Sequence, residues 1–126
     1  MKKDKRNFDL IVTILAKGYA GKAMDAARQG GAWGGTILPA RGSGIHETEK
    51  FLGISIEPEK EVLLILVKHS EKKTIMEALI KGSGLATPGR GICFTLPVED
   101  VAGITHIFTE SDAPASTNSN SDSGDK

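Results

Sequence analysis

The stretch EVLLILVKH, residues 61–69, constrains the fold more than any other part of the chain. Val62 to Val67 are all apolar and lie between a glutamate and a lysine. A strand with one wet face alternates apolar and polar residues, whereas a strand covered on both faces reads as an unbroken apolar run. Residues 62–67 therefore predict the central strand of a sheet whose two faces are both buried.

The neighbouring segments supply its partners. Phe8, Leu10, Val12 and Ile14 alternate with Asp9, Ile11, Thr13 and Leu15, a period of two that predicts a strand over residues 7–15. Ala20, Ala23, Met24 and Ala27 follow at helical spacing, and Gly30-Gly31 ends that helix. A short strand is expected around Thr36 to Leu38, with Pro39 marking an edge or a strand end because it cannot donate to a ladder. Residues 45–58 show no sustained period and form a long excursion, with a short strand expected within Phe51 to Ile56. Ser70 is placed to cap a second helix, whose stripe of Ile75, Met76, Leu79 and Ile80 ends before Gly82. Ile92, Phe94 and Leu96 then alternate in a strand ending at Pro97, and THIF, residues 105–108, is expected to add a last short strand.

The order is strand, helix, strand, strand, helix, strand. That βαββαβ order predicts a ferredoxin-like α+β fold, with a four-stranded antiparallel sheet and both helices on one face. No element remains to cover the other face of the 62–67 strand, so assembly with further copies of the chain is expected. Residues 1–110 are read as one domain, and residues 111–126, which hold no large apolar side chain, as a disordered Ser/Asn/Asp-rich tail.

Composition removes several functions. The 16 basic and 16 acidic residues balance, which argues against a nucleic-acid binder that must displace counterions from many phosphates. The single cysteine, Cys93, allows no internal disulfide and no CxxC metal pairing, and its place in a strand pattern reads as core packing. The longest apolar run is far short of the roughly 20 residues that span a bilayer. With no signal-peptide pattern at the amino terminus, the expectation is a soluble, cytoplasmic protein with no direct membrane insertion.

Two glycine-rich loops carry the chemistry. GSGLATPGRGICF, residues 82–94, resembles a phosphate-binding P-loop, but a P-loop needs Lys then Ser or Thr where this chain has Arg90 and Gly91. It also lies between a helix and a following strand, so no helix N-terminus points at a bound anion. Its main-chain amides can still cradle an anion, with Arg90 as a forked donor, and PARGSG at residues 39–44 is a second loop of the same kind. Both loops lie at strand ends, where the two can face one anion.

GGTILPARGSG, the long excursion, the EVLLILV strand and GRGICFTLPVEDVAGI together resemble the PII-type nitrogen-regulatory signalling proteins, especially their divergent PII-like branch. The resemblance spans about residues 7–109. It implies a homotrimer that binds an adenine nucleotide (ATP, ADP or AMP) between subunits, with magnesium left open. Regulation of a partner, a transporter or a metabolic enzyme, would run through residues 42–58, which resemble the family's T-loop. The nucleotide-binding residues it implies are Gly35, Thr36, Arg41, Gly42, Thr87, Gly89, Arg90 and Gly91. Tyr19 is the only tyrosine, so modification of a loop tyrosine is not available, and ITHIFTE lacks the arginines of typical members.

An alternative keeps the fold but gives it a metal-binding or scaffolding role through His46, Glu47 and Glu49, although their spacing fits no standard zinc pattern. Trp33, between small residues before the second strand, reads as an anchor at a core edge or subunit contact. No nucleophile with a base and no paired carboxylates are found, so an enzyme is not expected.

Overall fold

The computed structural model describes residues 7–44 and 49–103. Its elements are β1 (Phe8–Ala16), α1 (Ala20–Gln29), β2 (Thr36–Arg41), β3 (Glu49–Phe51), β4 (Ile54–Ile56), β5 (Glu59–Lys68), α2 (Lys72–Ser83) and β6 (Gly91–Val98). The main sheet is antiparallel in the order β2-β5-β1-β6, with both helices on one face, the ferredoxin-like arrangement expected from the element order. β5 lies inside the sheet, as its continuous apolar run requires.

The core lies between sheet and helices. Ile11 and Leu15 of β1 and Leu63, Ile65 and Val67 of β5 are buried there with Ala20, Ala23, Met24 and Ala27 of α1 and Ile75 and Leu79 of α2. The alanines of α1 make a thin helix that α2 can approach closely. A side chain at Gly30 would meet the Ala78 methyl at 2.7 Å, and one at Gly82 would overlap that of Ala26. Gly82 is therefore a contact residue inside α2 and does not end the helix, which runs to Ser83 and is closed by Gly84 in the left-handed conformation. Ser70 likewise lies in a 3-10 turn, His69–Glu71, and α2 begins after it without a side-chain cap.

At the α2 end of the sheet one charge is buried. Asp9 is 1% exposed, and its carboxylate accepts the Nδ1–H of His69 at 2.5 Å with the Lys72 ammonium 3.9 Å away. A buried charge needs such partners to offset its lost hydration.

The opposite face of the sheet is open. Ile92, Phe94 and Leu96 of β6 are 58%, 40% and 48% exposed, and Leu38 of β2 is also exposed. Val62, Leu64 and Leu66 of β5 are half-buried beside them.

The excursion holds a hairpin in place of the single short strand expected. β3 and β4 pair through Glu49↔Ile56, Lys50↔Ser55 and Phe51↔Ile54, joined by Leu52 and Gly53, both at positive φ (53° and 81°). A two-residue loop with both φ values positive matches the right-handed twist of the paired strands. The expected THIF strand, the tail and the boundary at residue 110 lie outside the described residues.

Candidate functional site

β2 and β5 leave the sheet together and frame the excursion. Their last paired residues are Arg41 and Glu59, and the Gly42 amide donates to the Pro58 carbonyl at 3.2 Å. The excursion therefore springs from a closed two-stranded base. Beside that base opens a cleft of about 460 Å³.

Its floor is one row of the open sheet face. Ile14 of β1 is in register with Val62 of β5 on one side and Ile92 of β6 on the other, and all three line the cleft. Ala40, Arg41, Gly42, Ser43 and Gly44 form one wall, Gly89 and Gly91 the other, and Lys60 projects from β5. The two glycine-rich loops thus meet within a single protomer.

Charge is sorted by the strand period. Lys60 points into the cleft, while Glu59 and Glu61 on either side of it point elsewhere, because successive side chains of a strand face opposite ways. The Glu61 carboxylate accepts from the amides of Gly18 and Ala20, both at 3.0 Å, and so caps the start of α1, where Tyr19 gives no side-chain cap. Glu59 pairs with Lys17 at 2.7 Å on the surface. That hydrogen-bonded pairing lowers the Glu59 pKa and raises that of Lys17. Among the described residues no carboxylate lines the cleft, and its lining there is two cations, Arg41 and Lys60, with loop main chain above an apolar floor. Such a lining suits an anion with an apolar body.

Of the residues expected to bind a nucleotide, Arg41, Gly42, Gly89 and Gly91 come together here. The other four do not line the cleft. Gly35 is required by packing, since a side chain there would meet Met24 Sδ at 2.8 Å and the Leu64 carbonyl at 2.9 Å. Thr36 is exposed on the edge strand beside Leu64. Thr87 is a turn residue, its amide donating to the Gly84 carbonyl at 2.8 Å. Arg90 turns to the other side of its loop. Its Nη1 donates to the Ser83 carbonyl at 2.9 Å, and its guanidinium carbon lies 4.2 Å from the centre of the Tyr19 ring.

Lys60 was missed by sequence reading, although the alternation Glu59-Lys60-Glu61 at a strand start separates it from its acidic neighbours. His46 and Glu47 lie outside the described residues, and among those described no cluster of three or more His, Cys, Asp or Glu has metal-binding geometry. Cys93 is half-buried and accepts the Thr13 hydroxyl at 3.5 Å, and burial raises its thiol pKa. No helix among the described residues is long and apolar enough to cross a membrane.

The family described as Nitrogen regulatory protein P-II matches residues 8–106. The chain belongs to that family. Among solved structures, it is similar to Arabidopsis thaliana PII bound to citrate, with 21% identity and a TM-score of 0.62 over 82% of this chain and 86% of that one. At that identity the likeness establishes the PII fold. No curated protein matches the chain in sequence.

Proposed function

We propose that this PII-family chain is a signal-transduction regulator and not an enzyme, and that it binds an adenine nucleotide in the cleft beside the excursion. The observation that carries this reading is the meeting of the two glycine-rich loops, with Arg41 and Lys60, at the root of residues 42–58. A ligand there touches Arg41 to Gly44, where β2 passes into the excursion. Its binding energy is thus available to order or reorient the hairpin, and a partner protein meets a different surface in each state. That partner, a transporter or a metabolic enzyme, docks on the excursion.

The functional form is a homotrimer, as is typical of the family. Ile92, Phe94 and Leu96 supply the physical reason, since burying each such side chain fully contributes about 1.5–3 kcal/mol.

Calorimetry with ATP, ADP and AMP tests the nucleotide reading on the wild type and on Arg41→Ala and Lys60→Ala. Binding by the wild type, weakened at least tenfold in each variant, is the expected result. Absence of binding by all three nucleotides at millimolar concentration would remove the nucleotide. Citrate, held by the Arabidopsis protein, is the competitor to include, because a tricarboxylate also suits a pair of cations. Binding of citrate with no nucleotide binding would recast the cleft as a small-carboxylate sensor.

A further inference from the structure

The triplet Gly89-Arg90-Gly91 is divided between two sides of its loop. Gly89 and Gly91 line the cleft, whereas Arg90 reaches the end of α2 and the residue just before α1. Three favourable interactions meet at its guanidinium. It is a cation at a helix C-terminus, where the macrodipole is negative. It donates to Ser83, a carbonyl with no partner inside the helix. It also stacks over the Tyr19 ring. The main chain is fastened at the same place, with the Arg90 amide donating to the Thr87 carbonyl at 3.1 Å and the Ala16 amide donating to the Arg90 carbonyl at 3.3 Å.

We propose that Arg90 is a positioning residue: it latches the glycine loop to α2 and Tyr19 so that the main chain of Gly89 and Gly91 forms the cleft wall, and it does not touch the bound anion. This rests on the reading of the cleft as the ligand site. Arg41 and Lys60 then supply the side-chain charge there. For Arg90 to reach the anion it must give up both its stacking and its hydrogen bond, and the Ser83 carbonyl loses its charged donor. Tyr19, which has no place in the cleft, becomes a determinant of affinity acting through Arg90.

The test is a double-mutant cycle on ATP affinity in the full chain, using Arg90→Met, Tyr19→Leu and the pair, with Arg90→Lys and Tyr19→Phe as conservative controls. Arg90→Met and Tyr19→Leu are each expected to weaken ATP about tenfold, the scale of one stacked cation and one hydrogen bond. The double variant should be no weaker than either single one, and Tyr19→Phe, which keeps the ring, should bind as the wild type does. The dependence of log Kd on salt should fall less in Arg90→Met than in Arg41→Ala, because a charge in contact with the ligand contributes more than one held on the far side of the loop. A salt dependence reduced in Arg90→Met as much as in Arg41→Ala, together with unaltered binding in Tyr19→Leu, would make Arg90 a direct ligand and overturn the proposal. So would wild-type affinity in Arg90→Met.

Hydrogen exchange at the Ala16 amide keeps the latch testable apart from the ligand. It should accelerate equally in Arg90→Met and Tyr19→Leu without nucleotide, with Arg90→Lys between them and the wild type. If the wild type binds none of ATP, ADP, AMP and citrate, the cleft reading fails while this measurement still judges the latch. Unchanged exchange in both variants would dismiss it.

Discussion

Gly91→Ala is the substitution whose cost the structure specifies most closely. Gly91 opens β6 opposite Leu15 with φ at +152°, a conformation that side-chain-bearing residues rarely adopt, so strain alone costs about 1–3 kcal/mol. An added methyl would overlap the Ile14 carbonyl oxygen and sit 3.1 Å from the Leu15 Cα. Both are backbone atoms of a neighbouring strand and cannot swing aside, and such overpacking typically adds about 1–3 kcal/mol. The sum, roughly 2–6 kcal/mol, is a large share of the approximately 5–15 kcal/mol that holds a domain folded. Gly89→Ala provides the first comparison: φ is +80°, but the new methyl meets nothing, so only backbone strain of about 1–2 kcal/mol remains. Gly42→Ala is the second, with open space and no positive φ, and should lie within about 1 kcal/mol of the wild type. Urea unfolding followed by far-UV circular dichroism, at one fixed protein concentration because association shifts the midpoint, ranks the three. With a slope of about 1–3 kcal/mol per molar urea, Gly91→Ala should lower the midpoint by at least roughly 0.7 M. A Gly91→Ala midpoint within error of the wild type, or a Gly42→Ala loss as large, would refute the reasoning.

Asp9→Ala should cost about 1–3 kcal/mol by stripping His69 and Lys72 of a buried partner, and a His69→Ala background should remove part of that cost in a thermal-unfolding cycle. Glu59→Gln carries a pH signature. The folded Glu59 pKa is lowered, so its contribution is present above the ordinary carboxylate range and is lost as pH falls through the folded value. The raised Lys17 pKa gives a contribution present below the ordinary 10.5 and lost as pH rises through the folded value. The stability difference between wild type and Glu59→Gln should therefore be widest between about pH 5 and 10 and close at both ends; a gap persisting at strongly acid pH contradicts the pairing. Leu52→Asn should slow amide exchange in the β3–β4 hairpin, because a left-handed leucine costs about 1–2 kcal/mol that asparagine largely avoids. Faster exchange would mean that the leucine side chain, not the turn, holds the hairpin.

Main-chain periodicity made most of the fold legible before any coordinates. The run Val62 to Val67 names the inner strand, and the structure places Leu63, Ile65 and Val67 under the helices and Val62, Leu64 and Leu66 on the open face. What periodicity hides is contact distance. Gly82 reads as a helix stop because glycine is a poor helix former, yet it stands inside α2 because Ala26 leaves no room for a side chain. Gly35, a ligand position by family resemblance, is a packing position as well, for the same reason. The direction of Arg90 is hidden too, since a loop arginine flanked by glycines looks the same whether it faces an anion or the end of a helix. Alternation along a strand does separate Lys60 from Glu59 and Glu61.

The cleft floor is continuous with the apolar face that remains open. The row Ile92, Ile14 and Val62 lies beside the row Phe94, Val12 and Leu64, one pleat further along the same strands. In the proposed trimer, a copy seated on Phe94 and Leu96 therefore borders the cleft as well as covering the sheet. Ligand binding and assembly then share a boundary, and any ligand that touches both copies favours the assembled form by mass action. In that trimer the small residues around Arg41 and at positions 89 and 91 leave room for a loop, a ligand and a neighbouring chain to meet beside the two long cations. The excursion begins at that convergence. In the proposed regulator the closed base, Gly42 against Pro58, ties the start of the excursion to its end, so that a ligand touching Arg41 to Gly44 acts on both.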